Sequence, residues 1–511
     1  MSVRMIRFSA PRWIGLGLAL SAMGAAMMSG CTDHRAYACA AGRPVSLAPV
    51  ALRPSAVPEP VPQAGAAVPL ITSPSDVEGP WGTQLTIQGS GFGAASDGGY
   101  VAVGRGSREM RLPVCGSALT SDCVATWSDT RIVFRAPLGS SGVVSVHAAG
   151  GAVDAFAFRP TWAASDAWAI PPGDTNVTTL ASADHGGRVY LVIDHGPTPA
   201  AGTIDTAARG AITLVSFGSD GVSSLDLPVS RTRRPLAAFT ATPEGLVLAT
   251  AGGDASSLGY FRIRDGSVER DDACLPITRG ADTLALTSYG SSVAVWVVQP
   301  DHGATRFVRS GNTWYETKNF EDKGTSGRGV ERADGTVAFG ASANAGRASD
   351  LFGFGYDAKE VPVAEWASPT DGDLRRVSLS PALDDSVQTA VYPAGGITMS
   401  FCNDDSSSGL LDDRAAERCR LRSLTAAGSW VAPPGRAADV ARSVRFGVVD
   451  GTLVDVDSRK ERIVYGGAAG DAPRTVVDGI AASAVVVEGN LEAPVLVLQD
   501  ARQLRVARLP R

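Results

Sequence analysis

Leu284-Ala285-Leu286-Thr287-Ser288-Tyr289-Gly290-Ser291-Ser292-Val293-Ala294-Val295-Trp296-Val297-Val298 decides the fold of most of this chain. Two short apolar runs flank a glycine-centred turn. The second run is continuously apolar, as in a strand covered on both faces. The same arrangement returns along the chain. Thr179–Ser182 turns at Gly186-Gly187 into Val189–Ile193, and Leu236–Phe239 turns at Gly245 into Leu246–Leu248. Gly329–Glu331 turns at Gly335 into Val337–Phe339, and Thr389–Tyr392 turns at Gly395-Gly396 into Ile397–Met399. Val444–Val449 turns at Gly451 into Leu453–Val456, and Ala484–Val487 turns at Gly489 into Val495–Leu498. A variable loop and two shorter strands follow each pair. Four strands recurring about every 50 residues predict a β-propeller-like domain of about seven blades over residues 161–511. The last unit ends in Arg505–Leu509, a third strand with no fourth. Trp168-Ala169-Ile170-Pro171-Pro172-Gly173 mirrors Trp430-Val431-Ala432-Pro433-Pro434-Gly435, which falls at a fourth-strand position. The first strand of the region is therefore expected to complete its last blade.

Upstream, Leu70-Ile71-Thr72-Ser73-Pro74 precedes Gly79-Pro80-Trp81-Gly82-Thr83 and Leu85-Thr86-Ile87-Gln88-Gly89-Ser90-Gly91-Phe92-Gly93. Leu85 and Ile87 alternate with polar residues, the mark of a half-buried strand. Val101-Ala102-Val103, Ile132-Val133-Phe134, Val143–Val146 and Phe156–Phe158 continue the series. This order resembles the IPT/TIG family of immunoglobulin-like domains, over residues 69–160. The resemblance implies a β-sandwich that spaces or binds, with no catalytic residues to carry over. An insert at residues 111–124 departs from the pattern. The fold class expected for the whole chain is all-β.

Residues 1–12 hold Arg4, Arg7 and Arg12 and no acid, and an uncharged run from Trp13 to Met28 follows. At about 16 residues it is short for a membrane span, and it reads as a secretory signal of residues 1–30. Met28-Ser29-Gly30-Cys31 resembles the bacterial lipobox, with Met28 where leucine is usual. The resemblance implies cleavage before Cys31, diacylglycerol on its thiol and acylation of the new amino terminus. The expected partner is thus a membrane, reached by lipid anchor, and the expected location is the cell envelope. Thr32 rather than Asp follows the cysteine, which points to the outer membrane. Residues 31–68, with Pro44, Pro49, Pro54, Pro58, Pro60 and Pro62, read as a semi-extended tether.

The chain is mildly acidic, at −6; without the three signal-segment arginines it stands at −9. It has no run of Lys or Arg, which argues against nucleic acid as a partner. Seven cysteines less Cys31 leave six. Cys115 with Cys123, and Cys402 with Cys419, read as local disulfides, and neither pair has redox or zinc spacing. Cys39 and Cys274 either pair or stay free.

No nucleophile elbow, P-loop or zinc-protease motif occurs, and no cofactor or metal is expected. His185, His195 and His302 each sit in Asp-His-Gly, which is good turn chemistry. The functional reading places His195 and His302 on one propeller face, in loops after second strands. The loop from Cys402 to Cys419 carries Asp404, Asp405, Asp412 and Asp413 on that same face. Such carboxylates suit either a solvated loop or a cation. The expected function is a non-catalytic lipoprotein whose propeller binds a protein or glycan. The competing class is a propeller hydrolase or lyase acting on envelope polysaccharide, built from scattered Asp, His and Arg.

Overall fold

The computed structural model describes residues 36–38, 41–49, 57–61, 63–73, 76–115, 120 and 122–174, and from 176 to 508 the strands with part of their connections. Between 329 and 457 it describes strand backbone alone. Among these residues the regular structure is β-strand, with two short 3-10 turns.

Residues 69–160 form a sandwich. One sheet holds Leu70–Ser73, Gln84–Ser90, Arg131–Arg135 and Val124–Trp127 in spatial order. The other holds Val77–Gly79, Gly151–Pro160, Gly142–Ala148, Tyr100–Val103 and Met110–Pro113. Leu85 and Ile87 are buried while Gln84 and Gln88 are exposed, as the alternation requires. They join Val101, Val103, Val144, Val146 and Phe158 in one core. Each such side chain contributes about 1.5–3 kcal/mol by leaving water. Cys115 and Cys123 are disulfide-bonded across the insert, with their Cα atoms 5.8 Å apart.

Seven larger antiparallel sheets follow among the described residues, each beginning with one of the strand pairs read from the sequence, besides the short pair Ala348–Ser349 with Gly355–Tyr356. Sheet 1 is Asn176–His185, Arg188–Gly196, Ala211–Gly218 and Gly221–Asp226. Sheet 2 is Leu236–Thr242, Gly245–Ala251, Ser257–Arg264 and Ser267–Pro276. Sheet 3 is Thr283–Tyr289, Ser292–Gln299, Gly303–Ser310 and Thr313–Phe320. Sheets 4, 5 and 6 begin at Gly329–Glu331, Ser386–Val391 and Val444–Val449. Sheet 7 is Ser483–Val487, Val495–Gln499 and Gln503–Arg508, and its outer positions are filled by Ala163–Ala164 and Trp168–Ala169. Each sheet lies beside the next, and sheet 7 lies beside sheet 1, which closes the propeller.

The continuous apolar runs follow from this packing. In sheet 2, Val247, Ala249 and Ala251 pack against Val293, Val295 and Val297 of sheet 3. The intervening Leu246 and Leu248 pack against Tyr190, Val192 and Leu214 of sheet 1. Val189, Leu191 and Ile193 meet Val495, Val497 and Val506 of sheet 7. A strand wedged between two sheets has no face left for polar side chains.

The sandwich is fused to the propeller. Trp81 of the sandwich and Trp162 just after it share one cluster with Ile463, Val476 and Val477 of sheet 6, Leu496 and Leu498 of sheet 7, and Ile480 between those sheets. Gly82 has φ +88°, and a Cβ there would stand 2.0 Å from the Asp478 carbonyl oxygen, so the two backbones touch only because the residue is glycine. Arg505 of sheet 7 closes the other side. Burial pushes its guanidinium down to about 10, and it donates to the Ser165 carbonyl at 3.0 Å.

Parts of the proline-rich segment read as a semi-extended tether add strands to the propeller sheets. Ala36–Ala38 pairs with the outer strand of sheet 3, Ala41–Ser46 with that of sheet 2, and Ala48–Pro49 with that of sheet 1, all antiparallel. Pro44 and Pro49 sit where proline is tolerated, on a sheet edge. Further on, Glu59 accepts a hydrogen bond from Tyr100 Oη at 2.9 Å and pairs with Arg111 at 2.9 Å. Open strand edges with unpaired N–H and C=O groups gave this segment a place to bind, a tertiary attraction that composition does not carry.

Candidate functional site

The two ends of the propeller differ in what they offer. His195 ends the second strand of sheet 1, at the end where second and third strands are joined. It belongs to the sheet rather than to the loop, and only 7 % of it is exposed. It follows Val189, Leu191 and Ile193 on the face turned to sheet 7, and its ring meets Trp168 edge-on, with centroids 5.4 Å apart. Its Nδ1 meets Asp174 Oδ2 at 2.5 Å and its Nε2 meets Thr213 Oγ1 at 2.8 Å. Thr213 in turn donates to Asp226 Oδ1 at 2.6 Å. This Asp-His-Thr-Asp chain ties the outer strand of sheet 1 to the entry of the propeller and uses both ring nitrogens inside the protein. The backbone partners Cys402 and Cys419 lie directly opposite one another in sheet 5. His302, Asp404, Asp405, Asp412 and Asp413 fall outside the described residues, as does Cys31. No cluster of three His, Cys, Asp or Glu able to hold a metal occurs among the described residues.

The opposite end, where first and second strands are joined, carries a cleft of about 290 Å³ between sheets 2 and 3. Thr242, Glu244, Gly245, Tyr260, Arg262, Arg264 and Arg309 contribute to its wall. Period-two alternation along Ser257–Arg264 puts Tyr260, Arg262 and Arg264 on the side facing sheet 3. The 242–245 turn is held by the Thr242 hydroxyl, which donates to the Gly245 carbonyl at 3.0 Å and accepts from the Glu244 N–H at 3.3 Å. Glu244 forms an ion pair with Arg264. Arg309 comes from the third strand of sheet 3 and is 6 % exposed. Its guanidinium lies 4.7 Å from the centre of the Tyr260 ring and 5.8 Å from that of Trp314. These two rings meet edge to face, 5.3 Å apart. A cation over aromatic faces is held by the ring quadrupoles. Sequence reading missed this cleft because its residues come from two repeat units and from turns with no local motif. The alternating Tyr260-Phe261-Arg262-Ile263-Arg264 was the local trace of it, a polar side chain at every second position of one strand.

No curated protein matches the chain significantly. Among solved structures, virginiamycin B lyase from Staphylococcus aureus aligns at 8 % identity and a TM-score of 0.41, covering 68 % of this chain and 99 % of that one. An auxiliary nutrient binding protein from Bacteroides thetaiotaomicron aligns at 11 % and 0.37, covering 86 % and 98 %. A six-bladed β-propeller lectin from the fungus Aleuria aurantia aligns at 12 % and 0.34, covering 54 % and 91 %. Similarity this low carries neither ligand nor chemistry across. Residues 69–158 match the IPT/TIG domain model, and this part of the chain is an IPT/TIG domain.

Proposed function

We propose that this chain is a non-catalytic binding protein of the cell envelope, exported by residues 1–30, anchored by lipid on Cys31 at the outer membrane, and using its propeller to hold a protein or glycan. The observation that carries the reading is the chemical character of the cleft between sheets 2 and 3. Its charged groups are three guanidiniums and one carboxylate already paired with Arg264. Guanidinium stays protonated through the neutral range and so recognises charge without trading protons. His195, which the sequence offered as a binding residue, is buried against Asp174 and Thr213. The fused IPT/TIG domain gives the propeller a rigid flank for presentation.

The test uses residues 32–511, because the 36–49 segment is part of the sheets. This protein is incubated with envelope fractions, soluble polysaccharides and peptidoglycan, and both retention and new reducing ends are scored. Retention without cleavage is expected. Cleavage that requires the protein would replace this reading with that of a propeller hydrolase or lyase. Lipidation is tested separately by palmitate labelling of the full chain and of Cys31→Ser, where persisting label in the variant would refute the anchor.

A further inference from the structure

The first two strands of the 36–49 segment cap the rows of residues that form the walls of the cleft between sheets 2 and 3. On the sheet 2 side, Pro44, Val45 and Ser46 face Glu269, Val268 and Ser267 of the outer strand. Those three face Arg262, Ile263 and Arg264 of the third strand. Arg262 and Ile263 in turn face Val247 and Leu246 of the second strand. Arg262, Arg264, Leu246 and Val247 all line the cleft. The Ser267 hydroxyl donates to the Arg264 carbonyl at 2.7 Å, which secures the turn where these rows end. On the sheet 3 side, one row runs from Tyr37 through Trp314 and Arg309 to Val293. Arg309 and Val293 line the cleft from that side.

The two sides meet across the gap through side chains. Tyr260 of sheet 2 meets Trp314 of sheet 3 edge to face, with centroids 5.3 Å apart, and its ring centre lies 4.7 Å from the Arg309 guanidinium. The link between the two capping strands is short. Only Cys39 and Ala40 separate Ala38, paired on sheet 3, from Ala41, paired on sheet 2. Three peptide steps span at most about 11 Å, and sheets packed face to face stand about 10 Å apart. The link therefore leaves about 1 Å of slack. Ala36–Ala38 also lies against the outer strand of sheet 2. While both strands are paired, the outer edges of sheets 2 and 3 are held together. The capping strands are the more easily opened partners. Pro44 brings no N–H to its ladder, and the register shifts between Ala41 and Pro44. Edge segments with few ladder bonds open at lower free energy than the strands they cover.

We propose that Ala36–Ala38 and Ala41–Ser46 form a clamp that sets the opening of the cleft. Docked, they hold sheets 2 and 3 at the closed spacing. Released, they let the outer edges part and the cleft widen. A ligand that fits only the widened cleft would favour release, and a pull on the amino-terminal segment would do the same. The cleft is thereby coupled to the stretch of chain that leads back to Cys31.

The test lengthens the link without altering either strand. About eight Gly and Ser residues are inserted between Cys39 and Ala40 of residues 32–511. As a control, the same insert is placed between Leu47 and Ala48, where the segment passes from sheet 2 to sheet 1. Lengthening a link from two residues to about ten lowers the chance that its ends stay together by about tenfold. Amide exchange is therefore expected to rise about tenfold at 242–247 and 260–264 in the first variant. It is expected to be unchanged there in the control, and unchanged at Val495–Gln499 of sheet 7 in both. No rise at the cleft in the first variant, an equal rise in the control, or an equal rise in sheet 7 would each overturn the clamp. The exchange readout needs no ligand, so failure of the clamp would leave the binding function standing.

Discussion

Trp81 of the IPT/TIG domain and Val477 of sheet 6 form a parallel β-bridge across the domain boundary. The Trp81 N–H donates to the Val476 carbonyl at 3.0 Å, and the Asp478 N–H donates to the Trp81 carbonyl at 2.8 Å. The indole N–H is satisfied within the sandwich by the Ser140 carbonyl at 2.9 Å. Trp81 is fully buried. Trp81→Ala is therefore expected to cost about 3–5 kcal/mol. It should also uncouple the two domains. Scanning calorimetry should give one cooperative transition for the unaltered protein and two for the variant, and two transitions in both would disprove the shared core.

His195 is expected to matter for stability rather than for ligand. His195→Ala strands Asp174 and the Thr213–Asp226 pair without their partner. Leaving buried polar groups unsatisfied costs about 1–3 kcal/mol. Urea titration should show that loss, while glycan retention, measured well below the transition, should be unchanged. Loss of retention in a variant that remains folded would return His195 to the binding site.

The contact between Glu59 and Tyr100 makes one stretch of the amino-terminal segment acid-sensitive. The Tyr100 hydroxyl, and then the Arg111 charge, hold the Glu59 carboxyl below its ordinary 4.5, against the opposing effect of burial. Burial, followed by the hydrogen bond to Glu59, raises Tyr100 far above its usual range. A depressed carboxyl supports the docked form fully above its unfolded value and loses that support as pH falls through the folded one. Amide exchange at Val57, Glu59 and Val61, taken relative to the intrinsic rate at each pH, should therefore rise as pH drops below 4.5. Tyr100→Phe should raise it already at neutral pH. Exchange that is insensitive to both changes would contradict the contact.

The register also bears on the cysteines. Cys402 lies directly opposite Cys419 in the antiparallel ladder of sheet 5. Directly opposite positions bring Cβ atoms within about 4.5–5.5 Å, so a Cys402–Cys419 disulfide is the expected result. Peptide mapping of unreduced, exported protein should find that cross-link, and alkylation of both thiols would refute it.

The parts of the fold that were legible in the sequence are those set by local pattern. Val293–Val298 announces a strand covered on both sides, and Leu85 with Ile87 announces one covered on a single side. The mirrored Trp168 and Trp430 segments foretold how the last sheet is completed, because a fourth strand has the same edge to fill in every unit. Contacts between distant segments were not legible. Proline and alanine in 36–49 say nothing about which strand edges lie nearby. The same limit hid the cleft: Arg262 and Arg309 line it together because sheets 2 and 3 are neighbours, which neither strand's own sequence states.

The strands at 36–49 also act as a short leash. With Cys31 acylated as proposed, only five peptide steps separate the lipid from Ala36, which spans at most about 18 Å. Ala36–Ala38 is fastened to the outermost strand of sheet 3. The propeller would then stand on its rim at the bilayer, with its axis lying along the membrane. Its two ends would open sideways into the thin layer next to the lipid headgroups. A ligand would be met by lateral diffusion within that layer, and glycans rooted in the same membrane would reach the cleft before those arriving from the bulk.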